Sequence, residues 1–92
     1  MTHVVYCHGR TRDDVDYVYI GRPSVWGNPF KIGRDGTRAQ VIEKYRAWIL
    51  TQPNLLSQLP NLNNKALGCW CWPQACHGDI LVELVNTVCQ AI

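Results

Sequence analysis

The stretch ALGCWCWPQACHGDILVEL, residues 66–84, decides the fold, because it joins a short apolar run to a helical pattern through a cysteine-rich loop. Residues 66–70 are apolar and are followed by Pro73, which is typical of a short buried strand. The apolar residues after the loop recur at the spacing of one helix face and predict a helix over residues 77–89. Its inward side chains would be those of Ile80, Leu81, Leu84, Val85 and Val88.

The earlier part of the chain adds two strands and a helix. Residues 3–8 and 16–21 are rich in Val, Tyr and Ile and predict the strands. Thr37 and Gln40 have the spacing of a capping box, and the apolar pattern that follows predicts a helix ended by Pro53. The order is β–β–α–β–α, and a right-handed crossover through the first helix makes the second and third strands parallel.

The length and composition fit one folded domain. The chain has 92 residues, of which 47% are hydrophobic and 17% are charged. We therefore expect a single α/β domain over residues 1–92, with a small, mostly parallel three-stranded sheet and two main helices. No apolar run is long enough to cross a membrane, and the start of the chain does not resemble a signal peptide, so we expect a cytoplasmic protein that does not bind membranes.

The charge favours a small anionic partner. The net charge of +2 is low for a protein that binds a long nucleic acid, which needs many phosphate contacts, so nucleic acid is the less favoured partner. The positive excess lies in the first part of the chain. Its basic residues are Arg10, Arg12, Arg22, Lys31, Arg34 and Arg38. The sequence does not indicate an oligomeric state.

The loop before the last helix is the first candidate site. It follows a central strand, and open α/β sheets bind ligands at the carboxyl ends of their strands. Cys76 would lie at the helix N-terminus, where backbone N–H groups and the helix dipole lower the pKa of a thiol. We predict Cys76, His77 and Asp79 as catalytic residues, acting as nucleophile or as acid and base. Neighbouring Cys71 and Gly78 would contact the ligand.

Two other interpretations of the same loop remain open. Cys69, Cys71, Cys76 and His77 are zinc-type ligands, although the adjacent Cys76 and His77 are expected to diverge. Alternatively, the cysteines and tryptophans pack in the core and Asp79 stabilises the helix start. Core packing is the expectation for Cys7 and Cys89. Five cysteines without a secretion signal do not predict a disulfide framework.

Two motifs resemble one known family. They are IGRPS-x-WGNPF at residues 20–30 and CWC-x-P-x-x-CHGD at residues 69–79. With the strand-like start they resemble the domain-of-unknown-function family four-three-two-six, small proteins of phages and bacteria, over roughly residues 4–85. The resemblance implies that the first motif forms the second half of the site. Its residues are Gly21, Arg22, Pro23, Ser24, Trp26, Gly27, Asn28, Pro29 and Phe30.

Together these patterns predict a phage-type protein with a pocket at the carboxyl ends of its strands. Residues 21–30 would form one wall, and the cysteine loop would form the other. We expect Arg22 to meet an anionic group such as a nucleotide phosphate, and the reaction to be hydrolysis or transfer. Trp26 should pack on the fold and keep the first wall ordered. The alternative is a non-enzymatic adaptor protein, held together by packing or by zinc in the Cys/His cluster.

Overall fold

The computed structural model describes residues 2–6, 17–71 and 74–90, with side chains as far as Val88. The expected core positions of Cys7, Trp72 and the Cys89 side chain lie outside this part of the chain. The elements, in chain order, are β1 (His3–Tyr6), β2 (Tyr17–Tyr19), α1 (Arg38–Ile49), α2 (Pro53–Leu56), a 3₁₀ turn (Leu59–Leu62), β3 (Ala66–Cys69) and α3 (His77–Gln90).

The three strands form one parallel sheet with β3 at its centre. The strand order is β1-β3-β2, and both neighbours pair with β3 in parallel. His3 of β1 and Tyr17 of β2 both align with Ala66. The central place of β3 explains its apolar sequence, because the middle strand of a parallel sheet is covered on both faces. The predicted α/β class, with a three-stranded parallel sheet and two main helices, is confirmed.

The two main helices bury the predicted faces. In α1 the buried residues are Val41, Tyr45 and Ile49, at the i, i+4, i+8 spacing of one helix face. In α3, Ile80, Leu81 and Val85 are buried, and the helix contacts α1, β1 and β3. Val88 was expected to face inward but is 40% exposed. The reason is length, because a helix of 14 residues spans about 21 Å and a strand of four only about 13 Å.

The start of α1 is the capping box that the sequence predicted. The Gln40 N–H donates to the Thr37 hydroxyl, and the Gln40 side chain accepts from the Thr37 N–H. The end of the helix differs from the prediction. It lies at Ile49, whereas Pro53 opens α2, in the first helical turn, where the missing N–H of proline has no intrahelical partner to lose.

The long connection between β2 and α1 is tied to the core. Trp26 is only 5% exposed, and its carbonyl accepts a 2.8 Å hydrogen bond from the buried Tyr45 hydroxyl. This confirms that the tryptophan packs on the fold and orders the segment. Within the described residues, no helix has both the length and the apolar character needed to cross a membrane.

Candidate functional site

A cavity of about 500 Å³ lies at the carboxyl ends of β2 and β3. One side is formed by the connection from β2 to α1, and the other by the end of β3 and the loop that leads into α3. Eight of the predicted site residues line it. They are Gly21, Arg22, Asn28, Phe30, Cys69, Cys71, Cys76 and His77.

The first wall is held in shape by its own polar contacts. The Asn28 side-chain amide donates to the Val41 carbonyl at 3.2 Å and accepts from the Phe30 N–H at 2.9 Å. A guanidinium N–H of Arg22 donates to the Asn28 carbonyl at 3.3 Å. Gly27 leaves room for this arginine, because a Cβ at Gly27 would lie 2.9 Å from Arg22 Cγ and 3.2 Å from its backbone. The wall therefore presents Arg22 on a rigid loop.

The second wall brings three metal-type ligands together. The ligand atoms of Cys69, Cys76 and His77 all lie within 4.8 Å of one another, and all three residues are buried. The expectation that Cys76 and His77 diverge was wrong, because Cys76 precedes the first helical residue and its side chain does not follow the helical rotation. Cys71 lines the same cavity but stands outside this cluster.

The pKa values of the two clustered thiols shift in opposite directions. The hydrogen bond from Cys69 lowers the pKa of Cys76, and the Gly78 N–H, 3.3 Å from Cys76 Sγ, acts in the same direction. That shared hydrogen bond and burial raise the pKa of Cys69. The downward direction at Cys76 agrees with the expectation from the helix start. Its main cause is Cys69, a partner that the sequence did not identify.

His77 is buried and bonds a backbone carbonyl through one ring nitrogen. Burial lowers its pKa, and the positive charge of Arg22 also acts to lower it. Nε2 lies 2.7 Å from the Ile20 carbonyl. Because a carbonyl only accepts, we assign the proton to Nε2, which leaves the lone pair on Nδ1. Tyr45 packs edge-on against the ring with centroids 4.9 Å apart and fixes its plane.

The remaining predicted residues lie beside the cavity and not on its surface. Asp79 Oδ2 accepts the Cys76 N–H at 3.2 Å and faces a second cavity that includes Thr2 and His3. Gly78 is buried below Cys76. Ser24 and Trp26 support the first wall from behind, and the buried Ser24 hydroxyl has no hydrogen-bond partner among the described residues. The catalytic role of Asp79 stays a prediction.

Sequence reasoning missed several residues that line the cavity. Lys31 and Arg38 add two cations, and Tyr19 and Trp70 add aromatic rings. The position of Arg38 could have identified it. A cation in the first turn of a helix interacts unfavourably with the helix dipole, so its presence there indicates a role outside the helix. Its guanidinium donates to the Ala75 carbonyl at 3.1 Å and joins the two walls.

Both walls fall inside a region shared with other proteins. The family described as Domain of unknown function (DUF4326) matches residues 5–87. This chain is a member of that family. The resemblance found in the two motifs is thereby confirmed at the level of the family.

Two relatives of the chain are viral proteins. An uncharacterized protein of Acanthamoeba polyphaga mimivirus is 35% identical over 89 residues, which cover 77% of this chain and 68% of the relative. An uncharacterized 12.4 kDa protein from the nrdA-td intergenic region of Enterobacteria phage T4 is 35% identical over 80 residues, covering 82% of this chain and 71% of that protein. No solved structure matches the chain significantly.

Proposed function

We propose that the cavity binds a small anionic ligand that carries a flat ring, which is the chemistry of a nucleotide. The proposal rests on the positive charge of the cavity. Arg22, Lys31 and Arg38 line the cavity, and none of the lining residues that the structure describes is acidic. A concave surface with charge of one sign concentrates ligands of the opposite charge.

Within the described part of the chain, no carboxylate forms an ion pair with either arginine of the cavity. Arg22 and Arg38 donate to the backbone carbonyls of Asn28 and Ala75. By contrast, Arg46 lies in ion pairs with carboxylates of α1 and α3. A guanidinium has five N–H donors, so one bond to a carbonyl leaves others for a phosphate or carboxylate.

Both main helices begin at the cavity. Arg38 is the first residue of α1 and His77 is the first residue of α3, and both line the cavity wall. A helix N-terminus carries unpaired N–H groups and a partial positive charge, which favour an anion. The two helix starts therefore add to the field of the three cations.

The aromatic residues support a ligand with a flat ring. Trp70 is 58% exposed, and its indole N–H donates to the Tyr19 hydroxyl at 2.9 Å, which fixes the orientation of the ring. Phe30 also lines the cavity. Stacking of a base on an aromatic side chain contributes about 1–3 kcal/mol. Cys76 and His77 line the same cavity, so a bound ligand would lie beside the groups predicted as catalytic, and hydrolysis or transfer is the reaction class that we infer.

Thermal unfolding with a ligand panel tests the proposal. The panel contains nucleoside phosphates, uncharged nucleosides, sugar phosphates and inorganic phosphate. Anions with a ring should raise the Tm most, and a ligand at about 100 times its Kd adds about 2.7 kcal/mol of stability. Arg38→Gln should weaken this response by about tenfold in Kd, since a hydrogen bond to a charged group contributes about 1.5–3 kcal/mol.

The matched control is Arg46→Gln, which removes the same charge from the same helix but outside the cavity. It should change the Tm of the free protein and leave the Kd of the ligand nearly unchanged. A flat response to every anion, or equal losses in the two variants, would contradict the proposal and favour the adaptor alternative.

A further inference from the structure

The cluster of Cys69, Cys76 and His77 has the dimensions of a metal site. Its ligand atoms lie within 4.8 Å of one another. A tetrahedral zinc ion with Zn–S of about 2.3 Å and Zn–N of about 2.0 Å holds such atoms roughly 3.5–3.8 Å apart. Closing the difference takes side-chain shifts of about an ångström or less. The residues come from the end of β3 and the start of α3, two elements in direct contact.

The surroundings of the cluster match those of zinc ligands. A histidine that binds zinc typically donates its other ring N–H to a carbonyl or carboxylate. His77 does so through Nε2, 2.7 Å from the Ile20 carbonyl, and keeps the lone pair of Nδ1. The Gly78 N–H points at Cys76 Sγ from 3.3 Å, as a donor does that stabilises a thiolate. These contacts orient both residues before any ion binds.

Other roles for the cluster explain less. Cys69 and Cys76 are only 2% and 3% exposed, which is poor access for a nucleophile that must reach a ligand atom. A disulfide would leave the oriented histidine without a role. Core packing alone gives no reason for two thiols and an imidazole to meet at the wall of the cavity.

We propose that Cys69, Cys76 and His77 bind a zinc ion whose fourth coordination position opens into the cavity. Three protein ligands and one open position are the pattern of catalytic zinc sites. Two thiolates balance the charge of the ion, so the three cations of the cavity keep their effect on an anionic ligand. At the open position the ion would bind water or an oxygen of the ligand and polarise it. The zinc proposal can be tested independently of the proposed ligand binding, because the zinc content is measured without a ligand.

The test is the metal content of the untagged full chain, followed by exchange of the metal for cobalt. Mass spectrometry should find about one zinc ion per chain after dialysis. The Co²⁺ form should show tetrahedral d–d bands and a thiolate charge-transfer band of the intensity that two sulfur ligands give. A folded wild-type chain that takes up less than about a tenth of an equivalent from stoichiometric zinc would overturn the proposal.

Matched variants locate the ligands. Cys69→Ser and His77→Gln should each reduce bound zinc to less than about a tenth of an equivalent. Cys71→Ser makes the same change beside the cluster and should keep both the zinc and the cobalt spectrum. A weaker thiolate charge-transfer band in the cobalt form of Cys71→Ser would show that Cys71 is a fourth ligand. That result would overturn the proposed open position. Because Cys69 lies in the core, circular dichroism checks the fold of its variant, and the wild-type spectrum decides without any variant.

Discussion

At the scale of single residues, the first wall depends on one buried hydroxyl. Tyr45 is fully buried, and its hydroxyl donates to the Trp26 carbonyl at 2.8 Å. This bond joins the middle of α1 to the connection that carries Arg22 and Asn28. Loss of the donor to a buried carbonyl lowers stability far more than loss of the donor to an exposed one, because water cannot replace the buried bond.

Tyr45→Phe should therefore destabilise the protein by about 1–3 kcal/mol, since it leaves the Trp26 carbonyl unpaired while keeping the ring. The measurement is urea unfolding followed by circular dichroism. Tyr19→Phe is the matched control, because both bonds of the Tyr19 hydroxyl, to the Arg22 carbonyl and from the Trp70 indole N–H, are exposed. The control should lie within about 0.5 kcal/mol of wild type. Equal midpoints for the two variants would show that the buried bond does not hold the wall.

Much of the candidate site follows from residue types, and the rest depends on tertiary contacts. The two motifs predicted Arg22, Asn28, Cys76 and His77, and all four line one cavity. Cys69 and Cys76 were grouped only in the zinc alternative, and the sequence did not show that their thiols meet. Their contact requires the end of β3 and the start of α3 to meet, and local sequence spacing does not report such a tertiary contact.

At the scale of elements, the start of α1 couples helix stability to the cavity. The Thr37 capping box fixes the first turn, and Arg38 follows directly and reaches across to Ala75. A frayed first turn would release the arginine from the cavity wall. The capping box was readable from the sequence because its hydrogen bonds depend only on local spacing.

Thr37→Ala should lower stability by about 0.5–2 kcal/mol, as for other helix N-caps. It should also weaken anion binding, because Arg38 loses its fixed position. Thr87→Ala is the control, since this exposed hydroxyl bonds the Glu83 carbonyl within α3 and caps nothing. Chemical denaturation and the ligand panel measure the two effects. A Thr37→Ala protein with wild-type stability and ligand affinity would exclude this coupling.

The lengths of the elements were less predictable than their order. The predicted strand over residues 16–21 is three residues long in the structure, Tyr17–Tyr19. Apolar residues continue beyond the strand because Ile20 is fully buried, and its N–H still donates to the Gly68 carbonyl of β3 at 3.1 Å. A hydrophobic pattern reports burial, and here burial extends past Tyr19, the last residue of the strand, to Ile20.

At the scale of the whole molecule, the topology gathers the site at one edge. The parallel order β1-β3-β2 places the carboxyl ends of all strands on the same side, and both main helices begin there or beside it. Residues far apart in the chain, such as Arg22 and Cys76, meet for this reason. The sequence predicted that the second and third strands are parallel, because a strand–helix–strand connection crosses over in a right-handed sense. The sequence placed the positive excess in the first part of the chain, but it did not show that Lys31 and Arg38 line the cavity, since they lie in a long connection and at a helix start.

The central claim, anion binding in this cavity, is tested most directly by an NMR titration of the ¹⁵N-labelled chain with a nucleoside phosphate. The account predicts saturable shifts concentrated at the amides of Arg22, Lys31, Arg38 and His77, with those around Glu83 on α3 unchanged. The matching uncharged nucleoside should produce clearly smaller shifts at the same concentration. Shifts spread over the surface, or centred on the exposed end of α3, would contradict the assignment of the cavity as the binding site.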